Sequence, residues 1–120
     1  MLNLDTHIFL FALSNELTAV ERRTLSADSW GISAIVLWEI EKLHSLRRID
    51  IGLDTDAVRN AFRQITIWPI TSEIARASVR LDIHSDPADE LIAATSLVHQ
   101  VALITRDKRI RKSKIVPLAK

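Results

Sequence analysis

Short apolar runs alternate with amphipathic helical stretches along this chain, and that alternation limits the fold more than any other feature. "LNLD" at the start reads as a strand closing on an acid. Helical spacing follows over 6–13 and 17–25. "WGIS" is a second strand, with Ser33 placed to cap the helix "AIVLWEIEKLHSL". A helix is predicted over 54–65, and Pro69 confines "TIWPI" to a strand end or sheet edge. Thr71 opens "SEIARASVRL", "DPADELIAATSLVH" is a further helix, "VALIT" a buried strand and "KIVPLA" a last short one. Strands separated by helices indicate a parallel sheet covered on both faces, an α/β fold. Ligands of such folds sit beyond the carboxyl ends of the strands, where this reading puts Asp5 and Asp107.

Composition removes several kinds of chemistry. The 120 residues are 48% hydrophobic and 26% charged, enough for one domain with a real core and no disordered tract. With no cysteine, thiol catalysis, disulfides and thiolate metal sites are out. Two glycines cannot make a phosphate-cradling loop, and no Ser-His-Asp or zinc spacing is present. No apolar run is long enough to span a bilayer, and "MLNLDTHIF" has no basic segment before an apolar core. The expectation is a soluble, cytoplasmic protein without membrane contact.

The acids carry the chemistry. Asp5 reads equally well as a helix cap, in which case Thr6 could take over the capping and free it. Glu39 falls in the middle of the apolar stripe of Ile35, Val36, Ile40, Leu43 and Leu46, where a carboxylate is costly unless something pairs with it. Glu41 points to solvent. Asp86 and Asp89 suit a helix start around Pro87, as cap and first-turn charge, and that role does not forbid a metal. Asp89 shares a side with Ile92 and Ser96, whereas Glu90 projects about 100° away. Asp107 alone would be a turn residue. Together, Asp5, Glu39, Asp89 and Asp107 come from four elements with no cation beside the first three, and gathered carboxylates need protons or a cation. Oxygen-only ligands select Mg²⁺ or Mn²⁺.

Net charge is +1, yet Arg106, Lys108, Arg109, Arg111, Lys112 and Lys114 form a basic run. Such a run is ordinarily a solvated segment; the sharper reading is an RNA-binding edge, with Arg106, Lys108, Arg109 and Arg111 on the backbone. His44 and His99 read as structural or surface residues; His7 and His84 lie near the acids and could support them or contact substrate, with packing the plainer role. Trp30, Trp38 and Trp68 read as core or interface residues, with Trp38 opposite the stripe of Glu39 on a second contact surface.

"LDTHIFLF", "ISAIVLWEIEKL", "HSDPADELIAATSL" and "LITRDKRI", in this order, resemble the PIN-domain ribonucleases, and among them the VapC toxins of prokaryotic toxin–antitoxin pairs. The resemblance covers nearly the whole chain and implies one PIN-like nuclease domain over 1–120, a three-layer α/β/α fold with a short central parallel sheet. It implies RNA cleavage at an acidic Mg²⁺ or Mn²⁺ site of Asp5, Glu39, Asp89 and Asp107, with Asp5, Asp89 and Asp107 as metal ligands and Asp86 as an additional acid. It also implies a homodimer silenced by a cognate antitoxin. Glu90 departs from the pattern, standing where that branch usually has arginine, which puts a substrate or partner contact in question. Two other readings are a phosphoacceptor signalling domain and a non-catalytic binding module. The first lacks paired acids after the first strand and leaves Glu39 unexplained; the second has no need of four acids.

Overall fold

In the computed structural model, which describes residues 1–119, four parallel strands form one sheet. They are β1 (Leu2–Leu4), β2 (Trp30–Ser33), β3 (Thr66–Trp68) and β4 (Ala102–Ile104), in the order β3-β2-β1-β4. Leu2 pairs with Trp30 on one side and Ala102 on the other, so β1 is central and its carboxyl end abuts that of β4. The helices are α1 (Thr6–Ser14), α2 (Ala19–Ser26), α3 (Ile35–Ser45), α4 (Asp56–Phe62), α5 (Ser72–Ser78) and α6 (Pro87–His99). They cover the sheet as an α/β/α sandwich, and α6 packs on β1, β2 and β4 and against α3 and α5. No helix among the described residues is long and apolar enough to cross a membrane.

Leu4, Ile8, Phe9, Ile32, Val36, Ile40, Ile92 and Leu103 are fully buried and form the centre of the core. Asn3, the middle residue of β1, is buried with them. Its Nδ2 donates to the Ile92 carbonyl at 3.0 Å and to Ser96 Oγ at 2.9 Å, tying the central strand to α6. Gln100 then adopts a left-handed conformation (φ 55°) and turns α6 into β4 without a glycine.

Three expectations from the sequence need correction. The helix predicted over 54–65 is only Asp56–Phe62, because Thr55 is still extended and the chain after Phe62 tightens into i→i−3 bonds. "KIVPLA" is a single bridge of Leu118 to Leu103 on the β4 edge, with Pro117 contributing only its carbonyl. The apolar stripe of α3 buries Val36 and Ile40 but leaves Leu46 52% exposed, so Glu39 sits at the margin of the buried surface rather than in its middle.

Gly31 shows how tightly the sheet face is packed. A Cβ there would stand 2.5 Å from Cη2 of Trp68, whose indole is 8% exposed and stacks on His99 at 5.3 Å. Gly31→Ala should therefore cost about 1–3 kcal/mol and lower the melting temperature by several degrees. An unchanged thermal melt would show that the indole shifts freely.

Candidate active site

Each acid reaches the carboxyl edge of the sheet by its own route. Asp5 follows β1 and is the N-cap of α1: its side chain accepts from the Thr6 N–H at 2.8 Å and from Thr105 Oγ1 at 2.6 Å. Asp5 therefore caps α1 itself while lining the cleft, and Thr6 does not cap. The Thr6 hydroxyl donates instead to Glu39 Oε1 on α3. Asp89, in the first turn of α6, accepts from Ser85 Oγ at 3.0 Å. Asp107, beyond β4, accepts from the N–H groups of Arg109 (2.8 Å) and Ile110 (3.2 Å), and its own N–H donates to Thr105 Oγ1 at 3.0 Å. Asp86 stands at the N-cap position of α6 but makes no capping bond, which corrects its expected role and leaves its carboxylate exposed.

Asp5, Asp86, Asp89 and Asp107 line one cleft of about 420 Å³, whose other wall is His7, Phe11 and Arg106. Glu39 borders an adjoining groove of about 320 Å³, which Asp86 also lines. Burial raises the pKa of Asp5 above its ordinary 3.8, opposed by the hydrogen bonds from Thr105 and Thr6, with a further rise from Asp107. Glu39 is raised above 4.5, first by burial and then, against the Thr6 hydroxyl, by Asp89 and Asp5. Asp89 is raised by burial and by repulsion from Asp5, Asp107 and Asp86. The acids thus feel one another. Among the described residues, no lysine or arginine forms a salt bridge with any of them.

These residues suit a hard divalent ion by donor chemistry: oxygen ligands only, partly desolvated, mutually repelling and without a paired cation. No group of three acidic or histidine side chains among the described residues is drawn to one point. Mutual repulsion and the hydrogen bonds of Ser85 and the Asp107 turn account for carboxylates that share a cleft without closing on one point.

Of the four expected RNA contacts, Arg106 alone lines the acidic cleft. Lys108 and Arg109 are exposed beyond it, and Arg111 donates to the Thr105 carbonyl at 3.2 Å. The sequence reading overlooked Thr105, Ser85 and Asn3, and gave Thr6 the wrong task. A hydroxyl near three of the acids, in Asp5-Thr6, Thr105-x-Asp107 and Ser85 four before Asp89, was the available signal.

A model of the PIN domain family matches residues 3–115. The chain belongs to the PIN domain family. Ribonuclease VapC22 of Mycobacterium tuberculosis is 31% identical over 88 residues, covering 71% of this chain and 68% of that protein. Among solved structures, VapBC2 from Rickettsia felis bound to a promoter DNA fragment superposes with a TM-score of 0.73 at 18% identity, covering 99% of this chain and 98% of the other. A toxin–antitoxin complex from Klebsiella pneumoniae gives a TM-score of 0.70 at 24% identity, with 99% and 97% covered. Both likenesses share the fold of this PIN domain.

The raised acids fix the pH response of the metal-free PIN domain. A carboxyl whose folded pKa is raised binds protons more readily when folded, so its contribution is full below the ordinary 3.8 or 4.5 and is lost as pH rises through the folded value. Glu21, lowered to about 2, acts in the opposite sense but only at far lower pH. In the presence of a chelator, the melting temperature should rise as pH falls from neutrality toward the ordinary carboxyl values of 3.8 and 4.5, and Asp89→Asn should flatten that trend. A melting temperature that falls over the same interval would contradict the shared burial and repulsion of these acids.

Proposed function

We propose that this PIN domain, acting over residues 1–120 as a single nuclease domain, is a Mg²⁺- or Mn²⁺-dependent endoribonuclease toxin of the cytoplasm, kept silent by a cognate antitoxin. The observation that carries the reading is the convergence of Asp5, Asp86, Asp89 and Asp107 on one cleft free of paired cations, with Glu39 at its margin. Family membership, and the likeness to a protein named as a ribonuclease, favour RNA as the substrate. The fold shared with toxin–antitoxin complexes favours an antitoxin as the protein partner. Exposed Trp38 on α3 and Leu46 at its C-cap offer apolar surface for association, including the homodimer that the family resemblance implies.

Asp5, Asp89 and Asp107 would hold the ion. When bound, it supplies a water of lowered pKa and offsets charge building on the phosphate. The protein's own groups prepare that site. Thr105 holds one oxygen of Asp5 and the N–H of Asp107, so a single hydroxyl links two acids that follow neighbouring strands. Ser85 orients Asp89. Glu39, with its pKa raised and one oxygen held by Thr6, keeps its other oxygen to orient water or take a proton.

Purified protein should cleave single-stranded RNA with Mg²⁺ or Mn²⁺, EDTA should abolish cleavage, and Asp5→Asn should lower kcat by about a hundredfold or more. Activity that survives both changes would rule out the metal mechanism. In cells, expression without an antitoxin should arrest growth, and Asp107→Ala at equal protein level should relieve the arrest. Equal toxicity of the variant would separate growth arrest from this cleft.

A further inference from the structure

Asp5, Asp86, Asp89 and Asp107 share their cleft with one guanidinium, that of Arg106, yet among the described residues no salt bridge joins it to any of them. Arg106 is also the chain neighbour of Asp107. An arginine beside such a cluster is its ready counter-ion, because two-pronged pairing with a carboxylate relieves the repulsion that otherwise calls for a metal. The leading influences on Asp5, Glu39 and Asp89 are instead burial, hydrogen bonds, neighbouring acids and His7.

What holds Arg106 back is a clamp built on the start of α2. Its Nε donates to Glu21 Oε2 at 2.8 Å, and its Nη2 to Glu21 Oε1 at 2.6 Å and to the Glu16 carbonyl at 3.3 Å. The ring of Phe11 lies against the guanidinium, with Cζ 4.2 Å from the ring centroid. Glu21 is fixed in turn, because Oε1 also accepts from the Thr18 N–H at 2.9 Å in the capping box of α2. The fork of Arg106 is thus occupied by a carboxylate that does not line the acidic cleft. A helix start supplies the rigidity.

Building on the metal-dependent nuclease reading above, we infer that Glu21 is a positioning residue for the cation site: by holding Arg106 on α2, it keeps the chain's own guanidinium out of the place of the divalent ion. Released from Glu21, the guanidinium turns into the cleft and competes with the ion for the same carboxylate oxygens. Glu21 touches neither ion nor substrate and acts only through Arg106.

The test is a double-mutant cycle read in the Mn²⁺ affinity of the full chain, from the paramagnetic resonance signal of free Mn²⁺, with no turnover needed. Glu21→Gln is a mild change, because glutamine also closes a capping box and keeps the start of α2. It should weaken Mn²⁺ binding by on the order of tenfold, the lower end of what an opposite charge does to a nearby carboxylate. Arg106→Gln breaks the same bonds but should leave the affinity near that of wild type, because its charge is already engaged by Glu21. The double variant should regain wild-type affinity. If Arg106→Gln tightened Mn²⁺ equally with and without Glu21, the pair would act only as distant charges, and the clamp would be overturned. Wild-type affinity in Glu21→Gln would overturn it too, as would equal weakening by both single variants, the mark of a structural tie. Absence of Mn²⁺ binding by wild type would remove the metal reading together with the clamp, whereas any of the other adverse results removes the clamp alone.

Discussion

The amide of Asn3 is the contact on which the geometry of the site depends. It lies in the middle of the central strand, fully buried, and reaches α6 at the Ile92 carbonyl and the Ser96 hydroxyl. Asp89, Ile92 and Ser96 are spaced three and four apart, so they share one side of that helix. Asp5 lies two residues beyond Asn3 on its strand. One side-chain amide therefore sets the register that brings Asp89 and Asp5 to the same edge. The tie is costly as well as specific: the Asn3 Oδ1 atom has no hydrogen-bond partner among the described residues, a loss of about 1–3 kcal/mol.

Around that tie, the acids are restrained mostly by neutral donors. Thr105 serves Asp5, Thr6 serves Glu39, Ser85 serves Asp89, and two backbone N–H groups serve Asp107. A hydroxyl partner orients a carboxylate without neutralising it, whereas an arginine would stabilise the fold more and consume the charge. Arg106, the cation best placed to do so, is drawn aside by Glu21, whose own pKa falls to about 2 through that contact. Stability is given up at the edge of the sheet where the proposed site needs unpaired negative charge.

Much of this was legible in the residues. Alternating strands and helices gave the parallel sheet, and Pro69 marked the end of its edge strand β3. Glu39 declared itself because helical spacing set a carboxylate against an apolar stripe, even though that stripe becomes exposed by Leu46. Asn3 escaped notice because, in the three residues of "LNL", a polar middle position looks like one facing solvent; only a helix packed over that face makes it a buried tie. The capping roles were confused for a related reason. Either neighbour in Asp5-Thr6 can cap, and what decides is the presence of Glu39 within reach of the threonine hydroxyl, a contact 33 residues away in the chain. The basic run looked uniform in sequence, and the tertiary contact of Arg106 with Glu21, 85 residues away, separated it from the rest.

Acids from separate elements line one cleft, and together they are proposed to make one cation site. That site is tested most directly by the anomalous scattering of a crystal grown with Mn²⁺. The account requires a manganese peak in the cleft, with carboxylate oxygens of Asp5 and at least one of Asp89 and Asp107 drawn to about 2.0–2.4 Å from it. A cleft without manganese in crystals where the ion binds elsewhere, or a peak held by other residues, would contradict it.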